Sequence, residues 1–151
     1  MGIVNAIWNY VIYVSPPIMG VIFGGLVVQR YWVSRANEST LIDYFAKELA
    51  DLVDETLDYW SLDCRKDDER RKARMLEQRI KGDIKNLNSG LGRYALRYCK
   101  KVDFTPLMCA VNDACTGGTF ETAKRIPDHQ RYLAVVNATH RVRWQLFMRR
   151  V

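Results

Sequence analysis

Covalent and acid–base chemistry in this chain of 151 residues would fall first to its four cysteines and two histidines. Cys64, Cys99, Cys109 and Cys115 form no C-x-x-C pair, and neither His129 nor His140 stands at metal-ligand spacing from them, so a structural zinc site lacks its signature. The simplest reading is reduced thiols, two or three of them in a core. No G-x-x-x-x-G-K-S/T, G-x-G-x-x-G or G-x-S-x-G run occurs, which withdraws the usual support for phosphate-cradling loops and for acyl hydrolysis. No catalytic residue, cofactor or metal ligand is expected, and the chain leans away from enzyme chemistry.

Residue types suited to non-covalent work are better placed. Gly20 and Gly24 are four apart in an apolar run, a small-xxx-small pair that lets two helices approach closely where lipid supplies no hydrophobic drive. Asn5 and Asn9 share a helical face by the same spacing, and an amide there needs a headgroup, water or another helix, since lipid gives it no partner. Asp43, Glu48, Asp51, Asp54, Glu55 and Asp58 face a single Lys47 between residues 41 and 60, a local balance of minus five. Residues 65–85 reverse it with nine basic and five acidic side chains, Arg70, Arg71 and Arg74 among them, and Arg93, Arg97, Lys100 and Lys101 follow with no acid between. Asp51, Asp54, Glu55 and Asp58 are therefore candidate contacts for Arg70, Arg71 and Arg74, within one copy or between copies, and such pairing sets partner choice more than affinity. Arg141, Arg143, Arg149 and Arg150 add a candidate basic patch, and the net charge is +6. Nucleic-acid binding is admitted by that charge but not favoured, because basic cytoplasmic domains beside anionic lipid have the same composition and no groove-reading motif is present.

The elements that must position these residues divide sharply by charge. Met1 to Gln29 hold no charged side chain, and the remaining 122 residues hold all 40. The run Ile3–Val28 exceeds the roughly 20 apolar residues a bilayer requires. Trp8, Tyr10 and Tyr13 stand near one end of it and Tyr31 and Trp32 near the other, as interfacial aromatic belts do. Arg30 and Arg35 follow the run and no basic residue precedes it, so the body is expected in the cytoplasm and the N-terminus outside. Pro16 and Pro17 predict a kink in one continuous span, or else a break with Ser15 as N-cap, residues 3–14 at the outer interface and residues 16–33 spanning.

The expectation is thus an all-α protein: a membrane anchor over residues 1–35 and a cytoplasmic helical domain over 36–151. Ser39 and Thr40 are expected to cap a helix whose apolar stripe is Leu41, Phe45, Leu49, Leu52, Val53, Leu57 and Trp60. Asp67 or Asp68 precedes a second helix with Ala73, Leu76, Ile80, Ile84 and Leu87 on one face, closing at Asn88-Ser89-Gly90, and a short helix with Leu91, Tyr94, Ala95 and Tyr98 should follow. Thr105-Pro106 opens a helix stopped by Gly117-Gly118, and Asp128 caps a last one. No alternating run supports a strand.

In layout, an N-terminal membrane helix carrying Gly20-x-x-x-Gly24 before a small basic all-helical domain resembles the membrane effectors of bacterial anti-phage systems, among them the accessory effector of type VI-B CRISPR loci. The resemblance implies a pore-like homo-oligomer with a HEPN-related helical domain. The HEPN pairing of Arg and His across four to six residues is missed by Arg125 with His129 and by Arg131 with His140, so no ribonuclease residue carries over. The expected function is a membrane-permeabilising, homo-oligomeric effector partnered by the bilayer. The alternatives are a tether that recruits a cytoplasmic protein, and a membrane-bound nucleic-acid-binding or HEPN-like domain.

Overall fold

The computed structural model describes the backbone of residues 2–99 and 102–148, and side chains for residue 25, residues 27–99 and residues 102–148. Its described residues form four helices and no strand: α1 (Gly2–Ser61), α2 (Asp67–Tyr98), α3 (Thr105–Thr116) and α4 (His129–Phe147). The chain divides into two compact units, Met1–Ser39 and Thr40–Val151, and α1 contributes to both.

In the first unit, helical backbone continues through Ser15-Pro16-Pro17, so residues 3–14 belong to the same helix as the residues that follow. The side chains of Asn5, Asn9, Pro16, Pro17, Gly20 and Gly24, and with them the expected packing face and proline kink, lie outside the described residues. Among the described residues no helix is long and apolar enough to cross a membrane. The expected span, Ile3–Val28, is described in its backbone, but its side chains are described only at residues 25, 27 and 28.

Ser39 and Thr40 do not cap a helix, because α1 is already helical 37 residues before Ser39. A cap is useful only where backbone N–H groups lack an intrahelical acceptor, and here the preceding turn supplies one. The face that α1 buries in the second unit is Ile42, Phe45, Leu49, Leu52, Thr56, Tyr59 and Trp60, while Leu57, expected on the stripe, is 37% exposed. The true stripe is rotated by part of a turn from the expected one, since Ile42, Thr56 and Tyr59 belong to it and Leu41 and Val53 are only half-buried.

α2 starts without a side-chain cap, but Asp67, Asp68 and Glu69 place negative charge in its first turn, where the helix dipole favours it. Its buried face is Ala73, Leu76, Ile80, Ile84, Leu87, Leu91 and Tyr94, the expected period carried one element further. The expected stop at Gly90 is overturned, for α2 runs on to Tyr98. Gly90 serves a close approach: a Cβ there would stand 2.8 Å from Phe45 Cε1 and 3.3 Å from its Cζ. Gly82 and Gly92 in the same helix have nothing within 4 Å of such a Cβ. Gly82→Ala should therefore gain up to about 1 kcal/mol of stability from helix propensity, whereas Gly90→Ala should lose about 1–3 kcal/mol by forcing the buried Phe45 ring aside. Urea unfolding of the two variants followed by circular dichroism reads the opposite signs.

α3 packs on both α2 and α4. Pro106 sits in its first turn behind Phe104 as N-cap, one residue earlier than expected, and Asp103 Oδ1 accepts the Thr105 N–H at 2.9 Å. At the start of α4, Asp128 Oδ1 accepts from Gln130 N at 3.0 Å and Arg131 N at 3.2 Å, the expected cap. Val135, Ala138, Thr139, Val142 and Leu146 turn inward. One core cluster joins the four helices of the second unit, and the largest fully buried side chains in it, Trp60 and Tyr59, come from α1.

Candidate functional site

None of the charged pairs expected to meet is among the ion pairs of the described residues. Asp58 on α1 reaches Lys72 on α2 at 3.6 Å, with both side chains more than half exposed, so the pair contributes little. Arg70 bonds to Asp67 of its own helix at 3.2 Å and donates to the Cys64 carbonyl at 3.1 Å. Asp51, Asp54, Arg71 and Arg74 are exposed and have no ion pair among the described residues.

Glu55 is a different case. Burial, and after it the negative charge of Asp83 on α2, raise its carboxyl above the ordinary 4.5, against the pull of Arg79. Its Oε2 is buried and makes no hydrogen bond with a described residue. A folded-state value above the unfolded one means that the stability belongs to the protonated form: it is complete below about pH 4.5 and is lost as pH rises through the folded value. Glu55→Gln should consequently raise the melting temperature at pH 7 and bring no gain at pH 4, a difference read by thermal unfolding at the two values.

At the C-terminal end of α1 the polar groups are organised far more tightly. The Arg125 side chain is only 2% exposed, its guanidinium carbon lies 3.6 Å from the Tyr59 ring centroid and 5.1 Å from that of Trp60, and Nη2 donates to the Tyr59 carbonyl at 2.6 Å. A buried cation is costly unless it is compensated. Compensation here comes from the ring faces and from the carbonyl end of α1, where the helix dipole is negative. Asp128 N donates to the Trp60 carbonyl at 2.9 Å and Cys64 N to the Arg125 carbonyl at 2.9 Å, so the segment from Gly117 to Asp128 closes the end of α1. The Tyr59 hydroxyl donates to Glu77 at 3.0 Å and accepts from Glu121 N at 3.0 Å, and burial raises it well above the usual phenol range. Glu121 has a φ of 61°, a left-handed conformation that costs a non-glycine residue about 1–2 kcal/mol. Its N–H bond to Tyr59 and its ion pair with Lys81 hold it there.

Three of the cysteines are buried and Cys109 is exposed, and none is in a disulfide. Burial lifts the Cys115 thiol to about 11 and raises that of Cys64, which leaves both poor nucleophiles. Neither histidine is buried, and no group of metal-ligating side chains occurs among the described residues. Arg141 is exposed and Arg143 half-buried on α4. Residues two apart do not share a helical face, so the two point to different sides of α4, and Arg149 and Arg150 lie outside the described residues.

An open groove of about 440 Å³ lies between α1 and α2. Its base is Phe45, Leu87 and Tyr94, all buried, and its sides carry Tyr44 and Tyr98. Successive rings Tyr44–Phe45, Phe45–Tyr94 and Tyr94–Tyr98 stand 5.5, 5.8 and 5.6 Å apart. Glu48, Asn86, Ser89, Arg93 and Arg97 supply the polar edge. Nothing in the motif content pointed to this site: the two ends of its ring series are about fifty residues apart in sequence, and Gly90, which admits Phe45, reads as a helix stop.

In comparisons with protein-family models, curated proteins and solved structures, the chain matches none.

Proposed function

We infer that this is a membrane-anchored, homo-oligomeric effector whose assembled copies permeabilise the bilayer, the mode of action of the bacterial anti-phage effectors its layout resembles. The observation that carries the reading is the partition of charge, with none in residues 1–29 and all 40 charged side chains after them, in a stretch where the helical backbone of α1 is unbroken. In this reading residues 3–28 span, the second unit is cytoplasmic, and Gly20 and Gly24 bring neighbouring spans into contact. A single helix encloses no conduit, so permeation requires several copies around an axis. Asp51 and Asp54 on α1, with Arg71 and Arg74 on α2, leave complementary charge available for contacts between copies.

The test is extraction and mass. The full chain should resist alkaline carbonate extraction from membranes, and in detergent its light-scattering mass, corrected for bound detergent, should be a defined multiple of 17.6 kDa. A monomer that carbonate releases would overturn the reading. The tether alternative, which the same unpaired acids support, predicts a full-length monomer whose soluble second unit still captures a cytoplasmic protein.

A further inference from the structure

The groove between α1 and α2 has a physical character that anchoring and assembly do not use. All its lining residues belong to the second unit, so an inference from it stands or falls apart from the membrane reading. We propose that the groove is a binding site for a mononucleotide, with the phosphate on Arg93 and Arg97 and the base against Tyr44.

Charge comes first. Arg93 and Arg97 are one turn apart on the same face of α2, line the same groove, and have no ion pair among the described residues. Like charges at this spacing destabilise a helix by a few tenths of a kcal/mol. Arg97 stands in the last turn, where its charge answers the helix dipole. Arg93 is a turn further in and lacks that reason. Two guanidinium forks at one edge match the geometry and charge of a phosphate.

The rings come second. Tyr44 is 52% exposed at the mouth of the groove, continuing a ring series whose inner members, Phe45 and Tyr94, are 4% and 3% exposed. The inner rings are fixed by packing, with Phe45 seated against Gly90, so the floor on which Tyr44 rests, 5.5 Å from Phe45, is rigid. Base–aromatic stacking is worth about 1–3 kcal/mol per base and needs no hydrogen-bond code. The volume of about 440 Å³ also lies within the range of roughly 300–1,000 Å³ typical of small-molecule sites.

Direction along the groove comes third. Phe45 meets Tyr94 while Tyr59 meets Glu77, so α1 and α2 run antiparallel. Glu48 therefore lies toward the Asn86 and Ser89 end, and Arg97 toward the Leu41 end. A carboxylate repels phosphate but accepts from sugar hydroxyls and exocyclic amines. Glu48 thus rejects the reversed pose, and Asn86 and Ser89 beside it add the donors and acceptors that a sugar or base edge requires. The site has no glycine-rich loop and no helix N-terminus, which is why no nucleotide motif marks it.

The experiment is isothermal titration of the full chain, in an uncharged detergent, with AMP, adenosine and inorganic phosphate as separate probes. AMP should bind saturably at one site per chain, and adenosine and phosphate should each bind at least about tenfold more weakly, because each omits one of the two contributions. Arg93→Gln with Arg97→Gln should weaken AMP about 10–100-fold, the equivalent of losing charge-assisted hydrogen bonds. Tyr44→Ala should weaken it about 5–100-fold through lost stacking. All three positions are exposed, and an unchanged helical circular-dichroism signal would show that the variants fold. Absence of saturable binding by AMP, GMP, CMP and UMP at millimolar concentration would overturn the proposal, as would AMP binding that survives the double arginine substitution. Phosphate binding as tight as AMP would overturn it too, reducing the groove to an anion or lipid-headgroup site.

Discussion

Tyr59→Ala should cost the helical domain about 3–5 kcal/mol, the usual loss on truncating a large buried aromatic side chain. Against a total stability of about 5–15 kcal/mol, that takes the domain to the margin of folding. The ring is fully buried, packs on Trp60 and Phe120 with centroids 5.1 and 4.8 Å away, and carries the Arg125 guanidinium on its face. Removing it leaves a cavity and takes a ring face from a buried cation whose Nε and Nη1 already lack a hydrogen-bond partner among the described residues. Tyr59→Phe keeps the ring and deletes the hydroxyl that joins Glu77 to the Glu121 backbone, so it should cost only about 1–2 kcal/mol. Thermal unfolding by circular dichroism separates the two: the Ala variant should melt at least about 10 °C lower than wild type, at a few degrees per kcal/mol, and the Phe variant well above it. Equal losses would mean that the hydroxyl network, and not the ring, holds the end of α1.

The second large effect concerns assembly. Gly20→Ile together with Gly24→Ile should abolish the oligomer, because two branched side chains one turn apart hold apart helices that the glycines would let touch. Both substitutions keep the run free of charge, so membrane association should be unchanged while the detergent-corrected mass falls to that of one chain. If the double variant kept the oligomer size and the membrane activity of the wild type, contacts in the helical domain would be carrying assembly instead.

Where a signal was periodic, the fold could be read in advance. The inward face of α2 from Ala73 to Leu87 and the cap at Asp128 both follow from local sequence. Ser39-Thr40 and Gly90 misled for one shared reason: a cap residue or a glycine reports what the backbone could do alone, and here neighbouring residues decide otherwise. A helix already formed upstream leaves Ser39 nothing to cap, and the Phe45 ring gives Gly90 a reason to lie inside a helix. The aromatic site around Arg125 was hidden differently. The segment from Gly117 to Asp128 has no period, and an arginine in it reads as surface charge until Tyr59 and Trp60 are placed beneath it. The groove residues Tyr44, Arg93 and Arg97 were visible as a ring and as charge, but only the antiparallel pairing of α1 and α2 sets them side by side.

The most direct test of a bilayer-acting effector is leakage of a trapped dye from vesicles containing anionic lipid after reconstitution of the purified full chain. Release should rise more steeply than linearly with protein per vesicle, because several copies must meet, and should disappear in the Gly20→Ile, Gly24→Ile protein. Vesicles that stay sealed while holding fully inserted wild-type protein would contradict it.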